Sequence, residues 1–112
     1  MLFKTGQEFF EYAATIERVS REQEKELAAR MKDGDEAAGA RLVEQYLPYV
    51  ASFLSRHSIT SLASIYKCIA IVEAEVSKFD FQRERDYPSF VDHLRHHFMR
   101  VVTEHIIADT PL

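Results

Sequence analysis

Leu62-Ala63-Ser64-Ile65-Tyr66-Lys67-Cys68-Ile69-Ala70-Ile71-Val72-Glu73-Ala74-Glu75-Val76-Ser77-Lys78-Phe79 is the stretch on which the fold turns. Leu62, Ile65, Ile69, Val72, Val76 and Phe79 recur at alternating spacings of three and four, the period of an α-helix with a continuous apolar seam. Ile59, Tyr66, Cys68 and Ile71 lie outside that seam, so the apolar surface is wider than one core face needs. Such a helix is either central and buried on several sides or meets another subunit. Cys68 reads as a small buried hydrophobe.

Working outward, Asp80 to Asp86 has no apolar rhythm beyond Phe81 and reads as a loop. Pro88 suits the first turn of a further helix, which runs through Phe90, Leu94, Phe98, Val101, Val102 and Ile106 until Asp109-Thr110-Pro111. On the other side, His57-Ser58-Ile59-Thr60 is a polar break in which Ser58 or Thr60 is placed to cap the Leu62 helix. Before it, Asp35 caps a helix lined by Leu42, Val43, Tyr46, Leu47, Val50, Phe53 and Leu54. Pro48 should kink or split that helix, because it lacks an N–H and clashes with the carbonyl four residues back. Ser20, with Gln23 as reciprocal cap, opens a helix that Asp33-Gly34 stops. Thr5-Gly6-Gln7-Glu8 has capping-box spacing and opens an amphipathic helix through Phe9, Phe10, Ala13, Ala14 and Ile16 to about Val19.

These segments predict an all-α fold, a compact bundle of about five helices. The 112 residues make a single domain, with the amphipathic helix at 5–19 preceding a core at 20–108. Three Gly and three Pro are too few to punctuate the short strands of a sandwich or barrel. Hydrophobic residues at 46% and charged residues at 29% are globular rather than disordered composition. One cysteine allows no internal disulfide, and no leader-like or membrane-length apolar run occurs, so a cytoplasmic setting without membrane contact is expected. Fourteen Lys and Arg against 18 Asp and Glu give a net charge of −4, which argues against holding duplex nucleic acid through overall charge.

The run from Ser20 to Ala38, SREQEKELAARMKDGDEAA, resembles the opening of the central helical domain (region 2) of bacterial sigma factors of the sigma-70 family. Arg41 to Ser52, RLVEQYLPYVAS, resembles that family's next helix. Lys78-Phe79-Asp80 continues the match, followed by Arg83, Tyr87, Ser89 and Phe90 in the family's arginine, aromatic, small hydroxyl, aromatic order. The resemblance implies a non-catalytic transcription component that docks on RNA polymerase and captures unstacked bases of single-stranded minus-ten promoter DNA. Aromatic faces suit that task, each stacked base contributing about 1–3 kcal/mol. It also implies that Tyr87 and Phe90 stand at base-capture or adjacent packing positions, Ser89 at a small polar contact and Arg83 on a basic approach; Arg85 and the locally basic residues His93, His96 and Arg100 complete the expected DNA-facing set.

Departures accompany the resemblance. His93 and Leu94 stand where the family commonly has two tryptophans, and Arg85 where an aromatic is usual. The polymerase-facing acid, glutamine, glutamate and asparagine are replaced by Ala63, Tyr66, Lys67 and Ile69. The polymerase or partner interface is thus expected at Ala63, Tyr66, Lys67, Ala70 and Glu73. No carboxy-terminal helix-turn-helix follows, as in a fragment or a stripped-down relative. The alternative reading is a degenerate sigma-like module acting through dimerisation, a homodimer included, or partner sequestration.

The residues offer little enzyme chemistry. No Ser-His-Asp order, glycine-rich phosphate loop or paired-carboxylate motif occurs, and Glu73 and Glu75, two apart on a helix, point in different directions. His93 and His97 have the i, i+4 spacing of metal ligands, with Cys68 and Asp92 as tempting additions. No Glu follows His93 as in HExxH, so no metal and no cofactor are expected, and solvated or nucleic-acid-facing imidazoles are the plainer reading. From Lys78 to Arg100 there are five Lys or Arg, four acids and three His, a slightly basic segment inside an acidic chain.

Overall fold

The Thr5 hydroxyl accepts from the Glu8 amide (3.1 Å), which starts α1 (Gly6–Ala13). The Glu8 carboxylate reaches back to the Lys4 N–H rather than to Thr5, so the cap is offset by one residue from a reciprocal box. The computed structural model describes residues 3–82 and 90–109, which hold six helices: α1, α2 (Arg21–Lys32), α3 (Glu36–Glu44), α4 (Leu47–Arg56), α5 (Leu62–Val76) and α6 (Phe90–Asp109). No strand is present among these residues, and none of the helices is long and apolar enough to cross a membrane.

Local chemistry sets most boundaries. Ser20 and Gln23 form a full capping box at α2: Gln23 N–H donates to Ser20 Oγ (3.2 Å) and Ser20 N–H to Gln23 Oε1 (3.0 Å). Gly34, at φ 96°, ends α2, with Asp35 N–H on the Arg30 carbonyl and Gly34 N–H on the Met31 carbonyl, both 3.0 Å. This Schellman arrangement favours glycine. Asp35 then caps α3 through the Ala38 amide and is held by two Arg30 N–H groups (2.9 and 2.7 Å). The same arrangement ends α4, where Ile59 N–H reaches the Leu54 carbonyl (2.9 Å). There the left-handed residue is Ser58, at φ 57°. Ser58 therefore terminates α4 rather than capping the next helix, and Ser61 caps α5 by accepting from Ser64 N–H.

Pro48 splits the long segment as its chemistry requires. It falls in the first turn of α4, where no N–H is needed, and the joint before it consists of Gln45 and Tyr46. This split turns one expected helix into two. The first helix is shorter than its pattern suggests, ending at Ala13. Thr15 Oγ1 donates to the Tyr12 carbonyl (2.7 Å), a local competitor of helix hydrogen bonding. The chain beyond is stitched to α3 and its joint: Arg41 donates to the Glu17 carbonyl (3.1 Å), Val19 N–H to Gln45 Oε1 (3.2 Å), and the Arg18 guanidinium lies over the Tyr46 ring at 5.5 Å.

Helix α5 is the hub, packing on α3, α4 and α6, while α1 lies on α4 and α2 on α3. Its Ile65, Cys68, Ile69, Val72 and Val76 are buried with Leu47, Val50, Phe53 and Leu54 of α4 and Leu94, Phe98, Val101 and Val102 of α6. Burial on several sides accounts for the apolar residues outside the seam. Gly6 lets α1 approach the α4–α5 turn, since a Cβ there would meet the Thr60 carbonyl oxygen at 2.2 Å. One polar cluster lies inside: Gln45, 2% exposed, donates to Glu24 Oε2 (2.8 Å), and Tyr46 donates its hydroxyl to the same oxygen.

Two stability changes follow. Ser58→Gly removes the cost of a left-handed side-chain residue, about 1–2 kcal/mol, against added unfolded-state freedom. Urea unfolding should show a net gain of about 0.5–1 kcal/mol. Glu24→Ala strands the Gln45 amide and the Tyr46 hydroxyl and should lower stability by about 2–4 kcal/mol in the same measurement, with Glu24→Gln milder because it keeps an acceptor.

Candidate functional site

Two neighbouring helical surfaces carry the residues that the sequence singles out. On α5, Ala63, Lys67, Ala70 and Glu73 are exposed and Tyr66 is half-buried. Spacings of three and four put them on one face. The Tyr66 hydroxyl accepts from Phe3 N–H (2.7 Å) and donates to the Phe3 carbonyl (3.1 Å), clamping the N-terminal segment onto α5. Lys67 reaches Glu104 of α6 at 3.3 Å, an exposed pair of small energetic weight. Beside this face a groove of about 460 Å³ is lined by Met31, Val43, Tyr66, Ile69, Glu73 and Val76, among others. Gly39 borders it, and a Cβ there would touch the Met31 side chain at 3.1 Å.

On α6, His93 and His97 are half-buried and His96 and Arg100 exposed, again along one face. Arg100 donates to His97 Nδ1 (3.4 Å). Phe90 does not join them. It is 3% exposed, its ring 4.8 Å from Tyr46, 4.9 Å from Phe79 and 5.0 Å from Phe81. Of its two expected positions it occupies the packing one, because the start of α6 must fill the space between the Tyr46 joint and the end of α5. Arg83, Arg85, Tyr87 and Ser89 lie outside the described residues.

The two surfaces meet at a group that the sequence reading passed over. Glu75, near the end of α5, accepts from His93 Nε2 (2.7 Å) and has His97 Nε2 at 3.7 Å and Lys78 Nζ at 3.8 Å. The His93 hydrogen bond holds the Glu75 carboxyl below the usual carboxylate range despite partial burial, aided by the charges of His97 and Lys78. Glu75, His93 and His97 bring three donor atoms within 4.8 Å of one another. Glu73 points instead to the groove, so the two glutamates do diverge. The available signal was pairing: α5 and α6 run antiparallel, with Ser64 near His105, Lys67 near Glu104 and Glu75 near His93.

The other tempting ligands are elsewhere engaged. Cys68 is fully buried, and burial pushes its thiol up to about 12, so it stays protonated at neutral pH and offers neither thiolate ligand nor nucleophile. Asp92 lies 3.7 Å from Arg95. No protein-family model, curated protein or solved structure matches the chain.

The Tyr66 clamp has a direct check. Tyr66→Phe removes both hydrogen bonds to Phe3, and amide exchange in the segment before α1 should accelerate while the α5–α6 core keeps its protection. The global loss should be about 1 kcal/mol.

Proposed function

We propose that the chain is a sigma-like, non-catalytic transcription component that engages core RNA polymerase through α5 and, in that complex, single-stranded minus-ten promoter DNA. The observation that supports this reading is the exposure of Ala63, Lys67, Ala70 and Glu73, either side of the clamped Tyr66, on the helix that the sigma-70 resemblance assigns to the polymerase. In this reading Arg83, Arg85, Tyr87 and Ser89, with His93, His96 and Arg100 on α6, follow the strand, and Phe90 anchors the start of α6 from within. The fold is all-α, as that resemblance requires. A cytoplasmic setting goes with the proposal.

A net charge of −4 and the acid of Glu75 among the α6 imidazoles make DNA binding by the isolated chain weak. The polymerase must supply most of the electrostatic attraction. A second reading, a sigma-like module that binds another copy or sequesters a partner, is supported by the groove beside Tyr66, whose lining of Met31, Val43, Ile69 and Val76 suits an apolar anchor.

Pull-down of core polymerase by the tagged chain, followed by a shift of a minus-ten single-stranded oligonucleotide with and without the polymerase, tests the proposal. The expected result is co-purification, an oligonucleotide shift only in the complex, loss of docking in Ala70→Arg, and about tenfold weaker DNA capture in Tyr87→Ala. Absence of polymerase binding by the unsubstituted chain sinks it. Concentration-dependent dimers in sedimentation, abolished by Ala70→Arg, would favour the second reading.

A further inference from the structure

We infer that Glu75, His93 and His97 form a binding site for a divalent transition-metal ion of the Zn²⁺ class. The donor set is two imidazoles and one carboxylate, which suits Zn²⁺ with a fourth position left to water or an external ligand. The imidazoles stand one turn apart on α6, their rings 4.9 Å from each other at an interplanar angle of 71°. The carboxylate comes from the facing helix. Two rigid, mutually packed elements therefore present all three groups, and the buried contacts of α5 with α6 fix their separation.

Coordination through His93 Nε2 requires the proton that this nitrogen now donates to Glu75 to leave, with the ring proton carried on Nδ1, and the pair to open around the ion. Donors at about 2.0–2.1 Å from a tetrahedral ion lie roughly 3.3–3.5 Å apart. Glu75 Oε2 lies 2.7 Å from His93 Nε2 and Glu75 Oε1 3.7 Å from His97 Nε2, and one donor atom from each of the three residues falls within 4.8 Å of the others, so side-chain rotation must bring the three donors to a common spacing. Side-chain exposures of 38% for His93, 26% for His97 and 13% for Glu75 leave a route for the ion while the acid stays largely shielded.

Two cations border the site and must yield. Lys78, with 70% of its side chain exposed, can swing from Glu75 into solvent. Arg100 donates to His97 Nδ1. Coordination through His97 Nε2 puts the ring proton on Nδ1, so Arg100 must turn outward, as its exposed position allows. The rings of Phe79 and Phe90, 6.0 and 6.2 Å from that of His93, wall the inner side with apolar surface.

Calorimetric titration of the folded chain with Zn²⁺ at neutral pH, paired with Co²⁺ titration read by visible absorption, decides the matter. The expected result is saturable binding of one ion per chain, Co²⁺ bands that Zn²⁺ displaces, and a melting temperature that rises with free Zn²⁺. His93→Ala, His97→Ala and Glu75→Gln should each weaken binding by at least about tenfold, and His57→Gln should not. Glu75→Gln keeps an acceptor for His93 and so preserves the packing, and circular dichroism confirms that each variant is helical. No saturable binding by the unsubstituted chain overturns the assignment, as do folded ligand variants that bind like it or a His57→Gln loss of equal size. The titration contains neither polymerase nor DNA, so its failure and that of the sigma-like reading are separate results.

Discussion

Pro48 cannot continue the helix that begins at Asp35, and the joint that it forces leaves Gln45 and Tyr46 inside the protein with polar groups that water cannot reach. Glu24 answers both with one carboxylate oxygen, and Gln45 returns its own oxygen to the Val19 amide. Three separate stretches, the segment after α1, helix α2 and the α3–α4 joint, are thereby fixed to one another at one point. Burial, then the Glu24 hydrogen bond, keeps the Tyr46 hydroxyl protonated far above the ordinary tyrosine range. The Tyr46 ring in turn receives Phe90, so the same joint anchors α6 at its first described residue.

From that joint the surfaces follow. With α4 and α6 seated on it, α5 is flanked by α3, α4 and α6, while Ala63, Lys67, Ala70 and Glu73 stay exposed on either side of the clamped Tyr66. The alanines on that face are small where a solvated helix would carry long charged side chains, and they leave the Tyr66 groove open to anything that approaches. Meanwhile the antiparallel register of α5 and α6, rather than any local motif, brings Glu75 to His93.

What the sequence made legible was chemistry contained within a few residues. Ser20 with Gln23, Gly34 with Asp35, and Pro48 each act through neighbours one to four positions away, and the apolar period of α5 needs no partner to be seen. The end of α1 was not legible, because Glu17 and Val19 are held by Arg41 and Gln45 from another helix. Ser58 was ambiguous: a hydroxyl before a helix is also a residue after one, and the pull of Ile59, 1% exposed, into the core decides in favour of a left-handed turn. Glu75 was read only against Glu73 on its own helix, whereas its partners lie 18 and more residues away.

The placement of Glu75 also changes the meaning of the charge count. Lys78 to Arg100 is slightly basic by composition, yet the acid contributed by α5 sits beside His93, His97 and Lys78 and offsets part of that balance. Beyond a Debye length of about 10 Å, this surface presents little net field to a polyanion. Contact with a nucleic-acid strand would then depend on short-range stacking and on a partner that brings the strand close. A divalent ion held by Glu75, His93 and His97 would invert this, adding two positive charges at the centre of the face and turning Lys78 and Arg100 outward to solvent. In the proposed site, metal occupancy and affinity for an anionic partner would thus be coupled through a single carboxylate, and such a coupling would be reciprocal.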